Sequence, residues 1–256
     1  MATALVTGAS SGIGRELARL ARSDGHDVVL VARREALLHT LANELGGATV
    51  IALDLSRRDA VGELLAQVPE VDLLINSAGF GDARPFAEAD AQRQLEMIDL
   101  NVRALVELTR AYLPGMVARR FGRVLNVAST AAFQPGPYMA NYFASKAYVL
   151  SFSEALAEEV RGTGVTVSAL CPGVTDSEFH AVAGLASARA FMLAMPSAAS
   201  VARRGYEAML NGTTVTVTGA FNRAGTVAVR LLPRSLVRRA VKVVLRAARQ
   251  ASARHG

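Results

Sequence analysis

Hydrophobic residues in this chain come in short, nearly unbroken runs, separated by longer stretches where they recur every three or four positions. The runs at Thr3–Thr7, Asp27–Ala32, Thr49–Leu53, Asp72–Asn76, Arg123–Ala128, Thr166–Leu170 and Thr214–Thr218 predict strands. Stretches such as VVLVA and DLLIN are continuous rather than alternating, the pattern of strands buried on both faces. Between them, apolar residues at helical spacing predict helices at about 13–24, 35–46, 57–67, 92–118, 139–161 and 198–210. Strand–helix alternation over this length predicts one doubly wound α/β domain, with about seven parallel strands, helices on both faces and right-handed crossovers. No repeat, low-complexity tract or linker divides it.

Composition refines this picture in two places. A chain that is 51% hydrophobic and 20% charged is expected to fold rather than stay disordered. No uncharged apolar run reaches the length of a membrane span, and Ala2–Val6 starts a strand where a secretion signal would place a basic segment and an apolar stretch. With a lone Cys171, these features predict a cytoplasmic protein. The net charge of +6 is unevenly distributed. Residues 1–207 hold 19 basic and 22 acidic side chains, and residues 208–256 hold nine basic ones and no acid. The body is therefore not expected to bind nucleic acid, and the basic character belongs to a tail.

In doubly wound sheets, ligands bind beyond the carboxyl ends of the strands. The glycine-rich and polar motifs of this chain fall there: GASSGIG after the first strand, RR after the second, DL after the third, SAGFG after the fourth, ST after the fifth and CPG after the sixth. In the glycine-rich turn, Gly8, Ser10, Ser11, Gly12, Ile13 and Gly14 would let a helix N-terminus meet a pyrophosphate. The spacing is TGxxxGIG rather than GxGxxG. With Asp54, Asn76-Ser-Ala-Gly79, Asn101, Ser129, Tyr142-xxx-Lys146 and Pro172-Gly173, all in order, the chain resembles the single-domain branch of the short-chain dehydrogenase/reductase family from residue 2 to about 218.

That resemblance implies a Rossmann-type oxidoreductase. Residues 1–220 would form the dinucleotide-binding and catalytic domain, with a substrate lid at 178–200, and residues 221–256 a basic amphipathic extension. The resemblance further implies that Leu55 joins Asp54 around the adenine, and that Asn76, Ala78, Gly79, Tyr142, Lys146, Pro172, Gly173, Thr175 and Ser177 line the cofactor. Two departures from the family's usual pattern stand out: Ser77 replaces the second asparagine of NNAG, and Ser177 replaces a threonine.

The end of the second strand bears on the cofactor. Arginine there suits a ribose 2′-phosphate, whereas an acid suits the 2′-hydroxyl. Arg33 and Arg34 predict NADP(H) over NAD(H). Many NADP-using relatives also carry a basic residue inside the glycine turn, but Ser11 occupies that place here.

The reacting centre is expected at Tyr142 and Lys146, which share one helical face at i and i+4. The chain has 26 arginines and only two lysines, Lys146 and Lys242. A compact ammonium beside a phenol would favour its ionised form, and would reach the cofactor ribose where a planar guanidinium would not. The resemblance implies that Tyr142 exchanges a proton with the substrate, Ser129 orients the substrate oxygen and Asn101 holds a water beside the lysine. No metal-ligand spacing appears. A nucleotide-sensing protein of the same fold is the competing reading, and Tyr142 speaks against it.

The segment 178–196 carries Phe179, Leu185, Phe191, Met192, Leu193 and Met195; these residues either predict a lipophilic carbonyl or alcohol substrate or pack the lid against the body. Helices 92–118 and 139–161 are apolar around much of their circumference, and the resemblance implies a homodimer or homotetramer through them. From Arg234 onward, Arg238, Arg239, Lys242, Arg246 and Arg249 share one helical face, while Leu236, Ala240, Val243, Val244 and Ala247 share another. This helix could lie on an anionic membrane, as a peripheral contact or an adaptor surface, or dock its apolar face on the body.

Overall fold

The computed structural model describes residues 1–175, 183 and 195–253. Seven strands form one parallel sheet: β1 (Thr3–Thr7), β2 (Asp27–Ala32), β3 (Thr49–Ala52), β4 (Leu73–Asn76), β5 (Gly122–Val127), β6 (Val165–Cys171) and β7 (Val215–Val217), in the order β3-β2-β1-β4-β5-β6-β7. The order reverses between β1 and β4, and such a reversal opens a crevice beyond the strands' carboxyl ends. Among the described residues, the helices are α1 (Gly12–Ser23), α2 (Glu35–Glu44), α3 (Ala60–Gln67), α4 (Ala91–Ile98), α5 (Leu105–Arg119), α6 (Ala140–Glu159), α7 (Ala198–Leu210), α8 (Ala220–Leu231) and α9 (Arg234–Ala253).

The continuous apolar runs feed two cores, one on each face of the sheet. In β1, Ala4 and Val6 join Leu17 and Ala18 of α1 on one face. Leu5, between them, joins Leu108, Tyr112 and Met116 of α5 on the other. Strand period and two-sided burial together explain why nearly every residue in these runs is hydrophobic. Each fully buried Val or Leu contributes about 1.5–3 kcal/mol.

Three expected elements differ from the sequence pattern. The helix expected at 57–67 begins only at Ala60, because Arg57 folds back onto Asp59 and Glu63 and occupies the preceding turn. The helix expected at 92–118 is interrupted by a π turn over Asp99–Ala104, which contains Asn101. Helix α8 lies within the segment expected only as a basic extension, although Phe221, Ala224, Val227, Ala228 and Leu231 recur there at helical spacing.

Helices α8 and α9 pack on the body. Arg230 of α8 lies over the Phe133 ring at 5.4 Å, and Arg249 of α9 lies over the Tyr138 ring at 4.7 Å. The inward stripe of α9 includes buried Val237, with Val241, Leu245 and Ala248 against Phe80, Met97, Met139, Tyr142 and Phe143. The stripe read from sequence, Leu236 to Ala247, lies about 80–100° around the helix from this one.

Candidate active site

A cavity of about 600 Å³ opens at the carboxyl ends of the strands. Its floor is the β1–α1 turn. Gly8 takes φ +68°, and a Cβ there would come within 2.9 Å of the Ala78 backbone, so only glycine lets the β1 and β4 ends close together. Thr7 fixes the same junction: its hydroxyl accepts from the backbone N–H groups of Ser77 and Ala78 at 3.0 and 3.1 Å. Ser10, Ser11, Gly12, Ile13 and Gly14 all line the cavity.

Helix α1 starts there with no acidic side chain in its first turn and no side-chain cap from Ser11. A helix N-terminus of this kind suits an anion. Arg33 and Arg34 stand beside it. Arg34 donates from Nε to Ser10 Oγ at 3.2 Å and from Nη2 to Ser11 Oγ at 2.7 Å. Its guanidinium thus occupies the neighbourhood of the glycine turn where the sequence itself has no basic residue. Arg33 Nη1 lies 3.8 Å from Asp54 Oδ2, at the rim next to Leu55. Two guanidinia and an uncapped helix start make this end fit a phosphorylated dinucleotide.

The opposite end holds the polar groups expected to react. Ser129, Tyr142 and Lys146 line the same cavity. The Tyr142 hydroxyl and the Ser129 side chain are hydrogen-bonded to each other. Ser129 also accepts from Ala131 N–H at 3.1 Å, which fixes its rotamer. Lys146 is buried and donates to Val127 O at 2.8 Å, with Nζ 5.9 Å from the Tyr142 ring centroid.

Burial dominates the electrostatics of both groups. Burial pushes the Tyr142 hydroxyl up to about 12, against a smaller lowering from its Ser129 hydrogen bond. The same burial lowers Lys146 to about 8, against a smaller raising by Cys171. The chain alone therefore presents a protonated phenol beside an ammonium near its titration point. Burial also raises Cys171 to about 12, so it is a neutral thiol at the end of β6 rather than a nucleophile.

Asn101 sits in the π turn, and wide turns of this kind are frequent at functional sites. Its side chain makes three hydrogen bonds. Oδ1 accepts from Phe80 N–H at 3.1 Å, and Nδ2 donates to Phe80 O at 3.0 Å and Ser145 Oγ at 3.1 Å. A Cβ on Gly79 would fall 2.9 Å from Asn101 Oδ1 and 3.4 Å from Lys146 Nζ, so Gly79 keeps this junction open.

Ser77, Ala78, Gly79, Pro172, Gly173 and Thr175 are brought to the cavity. Asn76 is not on its wall. It is buried behind the wall, donating to Asn126 Oδ1 at 2.9 Å and bracing β4 against β5. Ser177 and the lid residues Phe179, Leu185, Phe191, Met192 and Leu193 lie outside the described residues.

Sequence reasoning missed the apolar walls at the reacting end: Phe80, Met139, Phe143, Val244, Leu245 and Ala248. The last three belong to α9; Val244 lies in the apolar stripe read from sequence, whereas Leu245 and Ala248 belong to a second stripe with Val237 and Val241, and that spacing was the available signal. A polar brace was also missed. Asp82 accepts from Gln94 at 2.8 Å, and Gln94 accepts from Asn141 at 3.0 Å, tying α4 to the residue preceding Tyr142.

Comparison with known proteins gives one consistent outcome. The short chain dehydrogenase family profile matches residues 2–186. A short chain dehydrogenase of Pseudocercospora fijiensis is 41% identical over 189 residues, 70% of this chain but only 61% of that protein, so the match spans less than two thirds of its length. The NADP-dependent 3-hydroxy acid dehydrogenase YdfG of Escherichia coli is 40% identical over 185 residues, 70% of this chain and 75% of that one. Among solved structures, a short-chain dehydrogenase from Sphingobium yanoikuyae in complex with NADPH superposes with TM-score 0.80 at 30% identity, covering 90% of this chain and 94% of the other.

Proposed function

The chain belongs to the short-chain dehydrogenase family, and from that membership we propose that it is an NADP(H)-dependent oxidoreductase interconverting an apolar carbonyl compound and its alcohol. The observation that carries this reading is one cavity with an arginine-flanked anion cradle at one end and the Ser129–Tyr142–Lys146 cluster among apolar walls at the other.

Bound NADPH would supply the hydride that reaches the carbonyl carbon. Gly8, Ser10, Ser11, Gly12, Ile13 and Gly14 hold the pyrophosphate, Arg33 and Arg34 the 2′-phosphate, and Asp54 and Leu55 flank the adenine. Ala78, Gly79, Pro172, Gly173, Thr175 and Ser177 complete the cofactor wall. Lys146 reaches the ribose.

Tyr142 is protonated at neutral pH, which suits it to donate to the carbonyl oxygen during reduction. Ser129, already hydrogen-bonded to that hydroxyl, orients the same oxygen. Proton resupply runs past Lys146. Asn101, in the π turn beside Phe80 and Ser145, supports that relay.

Phe80, Met139, Phe143 and Leu245 exclude water from the reacting end and favour a lipophilic substrate. We also propose a homo-oligomer. Leu95 and Ile98 of α4 and Tyr148 of α6 are exposed apolar side chains on the helices expected to pair. The proposed setting is cytoplasmic, with peripheral membrane contact through the basic C-terminal extension.

Purified protein with NADPH and a graded panel of ketones tests the reading. Turnover should favour bulky apolar members, and Tyr142→Phe should lower kcat by about 10²–10⁴-fold with NADPH binding intact. A wild type that binds NADPH and reduces nothing on the panel would sink it.

A further inference from the structure

Helices α8 and α9 bury only part of their apolar surface. On α8, Thr226 is buried, while Phe221, Ala224, Val227, Ala228 and Leu231 fall within one arc of about 120° and stay in water. Phe221 is 90% and Leu231 81% exposed. On α9, the stripe Leu236, Ala240, Val243 and Ala247 is exposed beside the docked stripe of Val237, Val241, Leu245 and Ala248. A basic arc of Arg238, Arg239, Lys242, Arg246 and Arg249 completes its circumference. Among the described residues, large exposed hydrophobics are concentrated in 221–244, and residues 208–256 contain nine basic side chains and no acid.

The charge selects the occupant. A second copy meeting this surface about a two-fold axis would set like charge against like. A nucleic acid would meet the arginines but leave the aliphatic stripes in water. An anionic lipid surface satisfies both, with apolar stripes entering the acyl boundary and arginines at the headgroups.

One residue joins this surface to the active site. Val244 is 63% exposed and also lines the cavity, next to Leu245 and Ala248 on the cavity wall. We propose that the α8–α9 surface docks the protein on an anionic bilayer, and that an apolar substrate passes from the lipid to the cavity along α9. The delivery step rests on the reading of the site as one for an apolar carbonyl compound; the docking itself does not.

The chain contains no tryptophan, so single-tryptophan variants report directly. In full-length protein, Phe221→Trp and Val243→Trp should each show blue-shifted emission on adding phosphatidylcholine vesicles containing phosphatidylglycerol. Phe121→Trp, just before the amino end of β5 and so at the end of the strands away from the cavity, should not shift. Co-sedimentation with these vesicles should exceed that with phosphatidylcholine alone by at least about tenfold, and should fall by about tenfold or more in Arg238→Gln/Arg239→Gln/Lys242→Gln.

Equal binding to neutral and anionic vesicles, or no shift at either α8–α9 position, overturns the docking. Binding to oligonucleotides in preference to vesicles overturns it too. Reduction of a water-soluble ketone is measured in parallel, so that turnover without vesicle binding counts against docking alone. Vesicle binding without any turnover counts against the catalytic reading alone. If docking and turnover both hold, a vesicle-dissolved ketone reduced no faster on anionic than on neutral vesicles overturns the delivery step.

Discussion

The two lysines of this chain sit on two helices of equal length, and the contrast between those helices separates chemistry from cover. Helix α6 and helix α9 each run for 20 residues, and both contribute to one cavity. Helix α6 is packed on several sides, and Lys146 is buried with its ammonium held by Val127 O. Helix α9 has one docked stripe, one exposed apolar stripe and one basic arc, and Lys242 lies in that arc in water. The same residue type is constrained in one place and interchangeable in the other. Burial and a defined acceptor make the difference.

The sharpest way to break this contrast is Lys146→Arg. A guanidinium cannot reproduce the compact contact with Val127 O or reach the ribose without disturbing Tyr142, so turnover should fall by about 10²-fold or more. Steady-state kinetics would show it, and near-wild-type turnover would erase the distinction.

Next in size is Arg34→Ala. Losing a charge-assisted contact worth about 1.5–3 kcal/mol should weaken NADPH binding by roughly 10–100-fold while leaving NADH nearly unchanged, as read by fluorescence titration. An equal loss for both cofactors would mean that Arg34 supports the glycine turn rather than the 2′-phosphate.

The titration of Lys146 gives a third test. Its folded-state value is lowered to about 8, so the ammonium is present below that pH and lost above it. NADPH affinity should therefore decline as pH rises through about 8. An affinity flat to well above that point would remove Lys146 from the binding step.

A smaller effect is expected at the cover. Ala248→Phe should intrude on the cavity and raise KM for the bulkiest ketones several-fold, with small ketones unaffected. Uniform changes for all substrates would make α9 a structural brace only. Lys242→Arg, the smallest of the series, should leave soluble-substrate kinetics within error.

Much of the body was legible because its signals are local. The runs around Leu5 and Ile75 mark buried strands, and the glycine turn, the arginine pair and the Tyr142/Lys146 spacing each announce themselves within a few residues. The C-terminal cover was harder to read. Its helix carries two apolar stripes separated by about 80–100°, and periodicity alone does not say which one meets the protein. The stripe led by Leu236 looked the more continuous, yet Val237, Val241 and Leu245 are the residues that dock. That choice depends on where Phe80, Met139 and Phe143 converge, which is tertiary information. The π turn at Asn101 was invisible for a similar reason, since an extra residue in a helical turn leaves the apolar spacing almost unchanged. The pKa of Tyr142 followed burial rather than its sequence neighbour, and burial depth is not written in a four-residue spacing.

The central claim is that this cavity moves a hydride to an apolar carbonyl with Tyr142 as the proton donor. Its most direct test is label transfer: NADPH deuterated at nicotinamide C4 is incubated with the protein and a bulky ketone, and the alcohol is analysed by mass spectrometry. Deuterium is expected on the carbinol carbon with wild type and almost none with Tyr142→Phe, although both bind the cofactor. Wild-type protein that binds labelled NADPH and yields no labelled alcohol, or a Tyr142→Phe variant that transfers label at the wild-type rate, would contradict it.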